Sequence, residues 1–401
     1  MNYSLYLHIP FCSHRCAYCD FNTYAGQENS IPAYVEALCN EIEFVGKSAH
    51  AEQNGGTIKV HTVFFGGGTP SLLSPKQFAM ILGAIRRHFD LTENAEITIE
   101  ANPGTVSFGD LKRLRLLGIN RISFGVQSAD SEELRMLERA HNFFDVIEAV
   151  TSARKAGFDN LNLDLIYGLP DQTLQTWQTT VKRILDLHPE HISAYVLTLE
   201  HGTPFGRWSV RGLLPMPNPD LAADMYEWAG ETFEAAGYGQ YEISNWAKQD
   251  RECIHNLQYW RGLPYFGLGA GAHGYVGGYR YSNVLRIKTY IDRLTNSPFG
   301  QPQFPLSPAV VNHHRQTSQD DISEFMITGL RLTREGIAAS VFSQRFGREL
   351  SEVYSKEINE LIRLGLLEWH IETFEDSKPS DVLRLARRGR LLGNQVFIRF
   401  I

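Results

Sequence analysis

Over its first 200 residues the chain repeats one unit six times: a short run of β-branched and aromatic residues, then a longer amphipathic stretch. A parallel sheet requires such a pattern, because the chain must return to the starting edge of the sheet before the next strand begins. The strand runs are Ser4–His8, Val60–Phe65, Glu96–Glu100, Arg121–Gln127, Asn160–Tyr167 and His191–Leu197. Helices are expected over Pro32–Gly46, over Pro75–Phe89 behind the N-cap Ser74, and from Ser107 to a stop at Gly118. Asp130–Leu137, Phe143–Ala156 and Leu174–Leu187 complete the series. Residues 1–200 therefore read as an α/β core, either a partial (β/α)6 barrel or an open doubly wound sheet, and periodicity leaves both open. In both, ligands bind beyond the C-terminal ends of the strands. The polar residues of GGGTP, EANP, GVQS and DLIYGLP fall at those ends.

Residues 201–310 read as an extension of the core, with one helix at Asp220–Ala236 and short glycine-separated β segments between Tyr238 and Tyr281. Pro298, Pro302, Pro305 and Pro308 mark a linker over residues 298–318. Residues 311–401 read as a separate α+β domain of winged-helix-like order. Its helices are Asp321–Leu330, Glu335–Phe342 and Glu349–Leu364, followed by strands near Leu366–Trp369, Val382–Leu385 and Gln395–Phe400. With 43% hydrophobic and 21% charged residues in 401, the chain can bury a sizeable core and is not of disordered composition. A net charge of −7 gives no chain-wide attraction to polyanions, and the arginines at 384, 387, 388 and 390 read as solvated surface, so no specific nucleic-acid partner is expected. No apolar run approaches the roughly 20 residues of a membrane span, and the opening MNYSLYLHIPFC is unlike a secretory leader, so a cytoplasmic location is expected.

Three of the five cysteines, Cys12, Cys16 and Cys19, fall within eight residues, while Cys39 and Cys253 stand apart. That odd, lopsided count does not suit a disulfide framework. Three thiolates in the loop after the first strand can instead wrap one face of a metal centre. Zinc stays open, because His8 and His14 are close in sequence. An iron–sulfur cubane also stays open; three cysteines would leave its fourth iron free for an exchangeable ligand.

The Cys12-x3-Cys16-x2-Cys19 spacing closely resembles the motif of the radical S-adenosylmethionine (SAM) superfamily. The resemblance implies a 4Fe–4S cluster on these cysteines, SAM chelated to the open iron, and reductive cleavage of SAM to a 5′-deoxyadenosyl radical. It places Tyr18 along the adenine. The glycines of Phe65-Gly-Gly-Gly-Thr-Pro70 would then bring backbone groups up to the amino-carboxylate of SAM. Glu100, Gln127, Arg139 and Asp164 complete a cradle in which carboxylates accept from the amine or the ribose hydroxyls and Arg139 meets a carboxylate. Each could alternatively serve only as a cap or a fold-stabilising group.

YLHIPFC, CAYC with Asp20-Phe21, FGGGTPS, IEANP, RISFGVQS and LDLIYGLP together resemble the oxygen-independent coproporphyrinogen III oxidase family over nearly the whole chain. This implies that Tyr6, Gly67, Gly68, Thr69, Glu100, Gln127, Arg139, Asp164, Ala194 and His273 surround SAM. Two departures stand out: Phe21 replaces a further cysteine of the oxidase, and the oxidase's longer N-terminal extension has no counterpart. The run His255-Asn-Leu-Gln-Tyr-Trp260 matches instead the HNxxYW signature of the family's haem-chaperone branch. The implied function moves from radical decarboxylation of coproporphyrinogen to binding haem and transferring it to respiratory or other haem proteins. An electron donor and peripheral contact with membrane proteins are further expected partnerships. His255 is the implied axial haem ligand, with Tyr259 and Trp260 against the macrocycle. The structural alternative for HNLQYW is a polar hinge, and the oxidase itself is the alternative function.

Overall fold

A computed structural model describes residues 2–52, 55–295, 303–372 and 380–401. The repeated units fold as β1 (Tyr3–Ile9), α1 (Ile31–Glu52), β2 (Lys59–Gly67), α2 (Pro75–His88), β3 (Asp90–Ala101) and α3 (Phe108–Leu116). They continue as β4 (Arg121–Gln127), α4 (Ser131–Met136), α5 (Phe143–Lys155), β5 (Leu161–Tyr167), α6 (Leu174–Leu185) and β6 (His191–Val196). The six strands lie side by side in chain order, each parallel to the next. β5 is buried at six of its seven positions, as expected of a parallel strand covered on both faces. The expected caps form: Ser74 accepts from the Gln77 N–H while the Gln77 side chain accepts from the Ser74 N–H, and Ser107 accepts from the Asp110 N–H.

The described residues divide into two units, Met1–Glu231 with Pro264–Arg315, and Thr232–Leu263 with Gln316–Ile401. In the first, Tyr265–Leu268 joins the free edge of β1 in parallel, and His273–Val276, Tyr279–Asn283 and Val310–Arg315 follow as antiparallel neighbours. The expected linker at 298–318 thus contains a strand, because Val310 and Val311 follow the last proline with β-forming residues. Pro298 and Pro302 lie outside the described residues. The extension is tied to α1 by buried Glu41, which accepts from the Gly269 N–H, Tyr290 Oη, Asn283 Nδ2 and Ser307 Oγ at 2.6–2.8 Å.

The second unit combines an antiparallel pair, Gly239–Glu242 with Asn245–Ala247, and the helix Ile254–Trp260 with the C-terminal residues. The HNLQYW segment therefore groups with residues beyond 315 rather than with the 201–310 extension. The C-terminal order is helix Ser318–Gly329, strand Ile337–Ala338, helices Ala339–Phe346 and Leu350–Arg363, then strands Leu367–Glu372 and Ser380–Leu385. The strands form one antiparallel sheet. Two expectations change. The helix expected from Glu335 begins at Ala339, because Ile337 and Ala338 pair with Leu383 and Val382. The strand expected at Gln395–Phe400 is helical, and Val396, Phe397 and Phe400 are buried at helical spacing. Among the described residues no helix is long and apolar enough to cross a membrane.

Candidate functional site

Beyond the C-terminal ends of β1–β6 lies a cavity of about 510 Å3. The cysteine loop forms one wall. It is anchored to β2 by the Gly68 N–H donating to Ile9 O (2.9 Å) and the Thr69 N–H donating to Phe11 O (2.7 Å), while Thr69 Oγ1 donates to Cys12 Sγ (3.6 Å). The glycines are required by this packing. Gly67 has φ +114°, and a Cβ there would sit 2.6 Å from the His8 ring; at Gly68 it would sit 2.6 Å from Phe11 O and 3.0 Å from Cys12 Sγ.

His8 is committed to structure. Its Nε2 donates to Asn22 O and its Nδ1 accepts from Tyr6 Oη, each at 2.9 Å, and burial holds its pKa below the usual value. His14 faces Glu138 at 3.4 Å. Among the described residues, no three His, Cys, Asp or Glu side chains converge closely enough to hold one ion. A zinc site would draw its donors to within about 2.3 Å of one point. A cubane takes one thiolate per iron, so its donors spread over a face, and three cysteines on one cavity wall fit that larger group. Burial pushes the Cys12 and Cys19 thiols up, so their deprotonation calls for the positive charge of a metal.

The opposite wall is polar. Glu100 Oε2 accepts from the Gly67 N–H at 3.0 Å, and burial, reinforced by the Asp164 carboxylate, pushes its carboxyl up to about 8. Asp164 is also raised by burial, although Ser123 Oγ and Asn162 Nδ2 each donate to it at 2.8 Å. Behind it, Asn162 Oδ1 meets His191 Nδ1 at 2.6 Å. Two elevated carboxyls in one cavity favour an entering group that donates hydrogen bonds or carries positive charge. Arg139 reaches across: Nη2 donates to Asn102 Oδ1 and Gly125 O, both at 2.6 Å, and Nη1 to Cys16 Sγ at 3.5 Å. Its buried Nε has no partner among the described residues, an open donor that suits a carboxylate. Asn102 Nδ2 donates in turn to Thr69 Oγ1 (3.2 Å), linking the arginine to the cysteine loop. Gln127 sits at a register shift between β4 and β5 with φ +69°, a left-handed conformation uncommon outside glycine.

The cavity gathers Cys12, Cys16, Cys19, Tyr18, Gly67, Gly68, Thr69, Glu100, Gln127, Arg139 and Asp164. Tyr6, Ala194 and His273 are not in its lining: Tyr6 bonds His8, Ala194 is buried opposite Leu165 on β6, and His273 is exposed at a strand start. His255 belongs to the second unit, where it is 1% exposed and its Nε2 lies 2.8 Å from Tyr259 Oη. Sequence reasoning passed over Asn102, Ser123 and Gly125, which also line the cavity. Strand alternation could have found them, since Ser123, Gly125 and Gln127 share one face of β4, and Asn102 follows Glu100 by two.

A profile of the radical SAM superfamily matches residues 6–184, and a profile of the HemN C-terminal domain matches residues 316–374. The haem chaperone HemW of Bacillus subtilis (strain 168) is 38% identical over 400 residues, 99% of this chain and 99% of its own. HemW of Lactococcus lactis subsp. lactis (strain IL1403) is 36% identical over 398 residues, 99% and 97% of the two chains. The structure of coproporphyrinogen III oxidase (HemN) from Escherichia coli, a radical SAM enzyme, superposes with a TM-score of 0.80 at 25% identity, covering 100% of this chain and 90% of that one. The superfamily match spans the cysteine loop and the cavity wall through Asp164, and the likeness to HemW runs end to end; the chain belongs to the HemW family of radical SAM proteins.

Proposed function

We propose that this protein is a haem chaperone: it carries a 4Fe–4S cluster and SAM in its first unit, binds haem, and transfers it to acceptor proteins. The observation that carries this reading is the end-to-end 38% identity with a haem chaperone, against 25% with the oxidase. Phe21 supports it. Where the oxidase family has a further cysteine, this chain lines the cavity with an exposed phenylalanine that supplies neither a thiol nor a proton.

Cys12, Cys16 and Cys19 would hold three irons and leave the fourth to SAM. When bound, the cluster supplies the electron for reductive cleavage of SAM. Around it, Glu100 and Asp164 would accept from the amine and ribose hydroxyls, Arg139 Nε would donate to the carboxylate, and Tyr18 would flank the adenine. Gly67, Gly68 and Thr69 hold the cysteine loop against β2. Gln127 lines the same wall, whereas Tyr6, Ala194 and His273, which the family resemblance also sets around SAM, lie outside the lining. His255 is the candidate iron ligand of the HNLQYW segment, and to reach an iron its Nε2 must leave Tyr259. Acceptors are haem proteins, respiratory ones among them, met in the cytoplasm or at the membrane surface, and an electron donor serves the cluster.

The test is anaerobic reconstitution, followed by assay of iron, sulfide, bound haem, haem transfer to an apo-haem protein, and coproporphyrinogen turnover. Haem binding and transfer without turnover is the expected result. Conversion of coproporphyrinogen with CO2 release would favour the oxidase, and a protein that neither retained nor transferred haem would end the chaperone reading.

A further inference from the structure

Each cysteine of the loop has a hydrogen-bond donor built against it. Thr69 Oγ1 accepts from Asn102 Nδ2 at 3.2 Å, so its own proton is directed to Cys12 Sγ at 3.6 Å. Arg139 Nη1 donates to Cys16 Sγ at 3.5 Å. Cys19 is served by the Phe21 N–H and by a further side chain, Thr23, whose hydroxyl favours the thiolate forms of both Cys12 and Cys19. Thr23 is 5% exposed and lines the cysteine cavity. Its Oγ1 is buried with no hydrogen-bond partner among the described residues. A buried hydroxyl left without an acceptor is costly, and two thiolates on the same cavity wall would supply one.

The backbone fixes Thr23 from both sides. Before it, Asn22 O accepts from His8 Nε2 at 2.9 Å, and Asn22 Nδ2 donates to Ala270 O and Leu285 O, each at 3.0 Å. The fit is close: a Cβ on Gly271 would sit 2.4 Å from Asn22 Nδ2. After it, the Tyr24 N–H donates to Pro10 O at 2.8 Å, and Tyr24 and Ala25 pair with Phe11 and Cys12 as a short parallel ribbon. Thr23 therefore sits between two anchored residues, in register with the first cysteine and four positions past the third. The cysteine spacing does not call for a hydroxyl there; the strand β1 and the sheet extension hold it in place.

We infer that Thr23 sets the reduction potential of the iron–sulfur cluster: its hydroxyl shares one proton between the Cys12 and Cys19 sulfurs and raises the potential at which the cluster accepts an electron. The inference rests on the cluster assigned to these cysteines under the proposed function. Reduction adds one electron from an external donor, and part of that negative charge falls on the ligand sulfurs. A donor to those sulfurs stabilises the reduced form more than the oxidised form, while the hydroxyl keeps its proton and no bond breaks.

The test is a redox titration of the full-length, cluster-reconstituted protein without SAM, monitored by EPR and accompanied by iron and sulfide assay. Thr23→Val keeps the shape and removes the proton. At the parent's midpoint potential it should move the oxidised-to-reduced ratio by about threefold or more towards oxidised; a tenfold change is a downward shift of about 59 mV for one electron. Thr23→Ala should move it in the same direction and serves where valine hinders assembly. Thr23→Ser restores the donor and should stay within about threefold of the parent. Valine and alanine variants that hold a full cluster yet stay within about threefold of the parent, or move upward, would overturn the inference and leave the cluster standing. So would a serine variant shifted as far as valine, or failure of both the valine and alanine variants to assemble a cluster, which would mark Thr23 as a folding residue. A parent protein that takes up no iron and sulfide would end the cluster reading as well.

Discussion

Glu100 is a residue whose local environment opposes its charge: burial and the Asp164 carboxylate raise its pKa to about 8. A carboxyl raised in the folded state binds its proton more tightly there than in the unfolded chain, so its contribution to stability is lost as pH rises from the ordinary carboxyl range through about 8. Glu100→Gln should therefore match the parent in urea unfolding at pH 5 and exceed it by about 1–3 kcal/mol at pH 9, both measured without ligands. The same variant should bind SAM more weakly, since an amide accepts less strongly than a carboxylate; stability gained and affinity lost together would identify a group kept for its ligand. Gly68 is constrained by geometry instead. A methyl group there meets the Phe11 carbonyl and Cys12 Sγ, neither of which can yield without moving the loop. Gly68→Ala should cost about 2–4 kcal/mol and lower the iron content of reconstituted protein, read by chemical denaturation and iron assay.

At the scale of elements, α1 and the antiparallel extension of the sheet meet at one buried carboxylate, Glu41. Glu41→Ala would leave the Asn283, Ser307, Tyr290 and Gly269 donors without their acceptor in a buried place, and should destabilise the first unit by about 3–5 kcal/mol in urea. Elements of this unit were largely legible beforehand, because each strand–helix pair carries its own signal: Ser74 and Pro75 open a helix, Gly118 closes one, and β4 spans the predicted Arg121–Gln127. The C-terminal region was less so. QVFIRF has β-forming composition, yet its buried positions follow helical spacing, and composition alone does not reveal which face is buried. The strand at Ile337–Ala338 is only two residues long and exists because of its partners Leu383 and Val382, far along the chain. The site divides the same way. Cys12, Cys16 and Cys19 sit in one short run, whereas the Arg139, Asn102 and Thr69 chain joins three separate elements and follows from the fold alone.

For the whole molecule, the cavity with the cysteines and the HNLQYW segment with His255 belong to different units. A Cys12→Ser, Cys16→Ser, Cys19→Ser protein should lose its cluster, as iron and sulfide assay would record, and still bind haem within about threefold of the parent in absorbance titration. A loss of porphyrin binding in step with the cluster would instead mean that the two sites are thermodynamically coupled.

The second unit is assembled from two stretches of chain, 232–263 and 316–401, with 52 residues of the first unit between them. During synthesis the HNLQYW helix leaves the ribosome well before Phe325, Ile337 and Val341, against which it must build its pocket. The second unit can therefore be completed only after the whole chain has been made, whereas the strands and the cysteine loop of residues 1–200 are available long before.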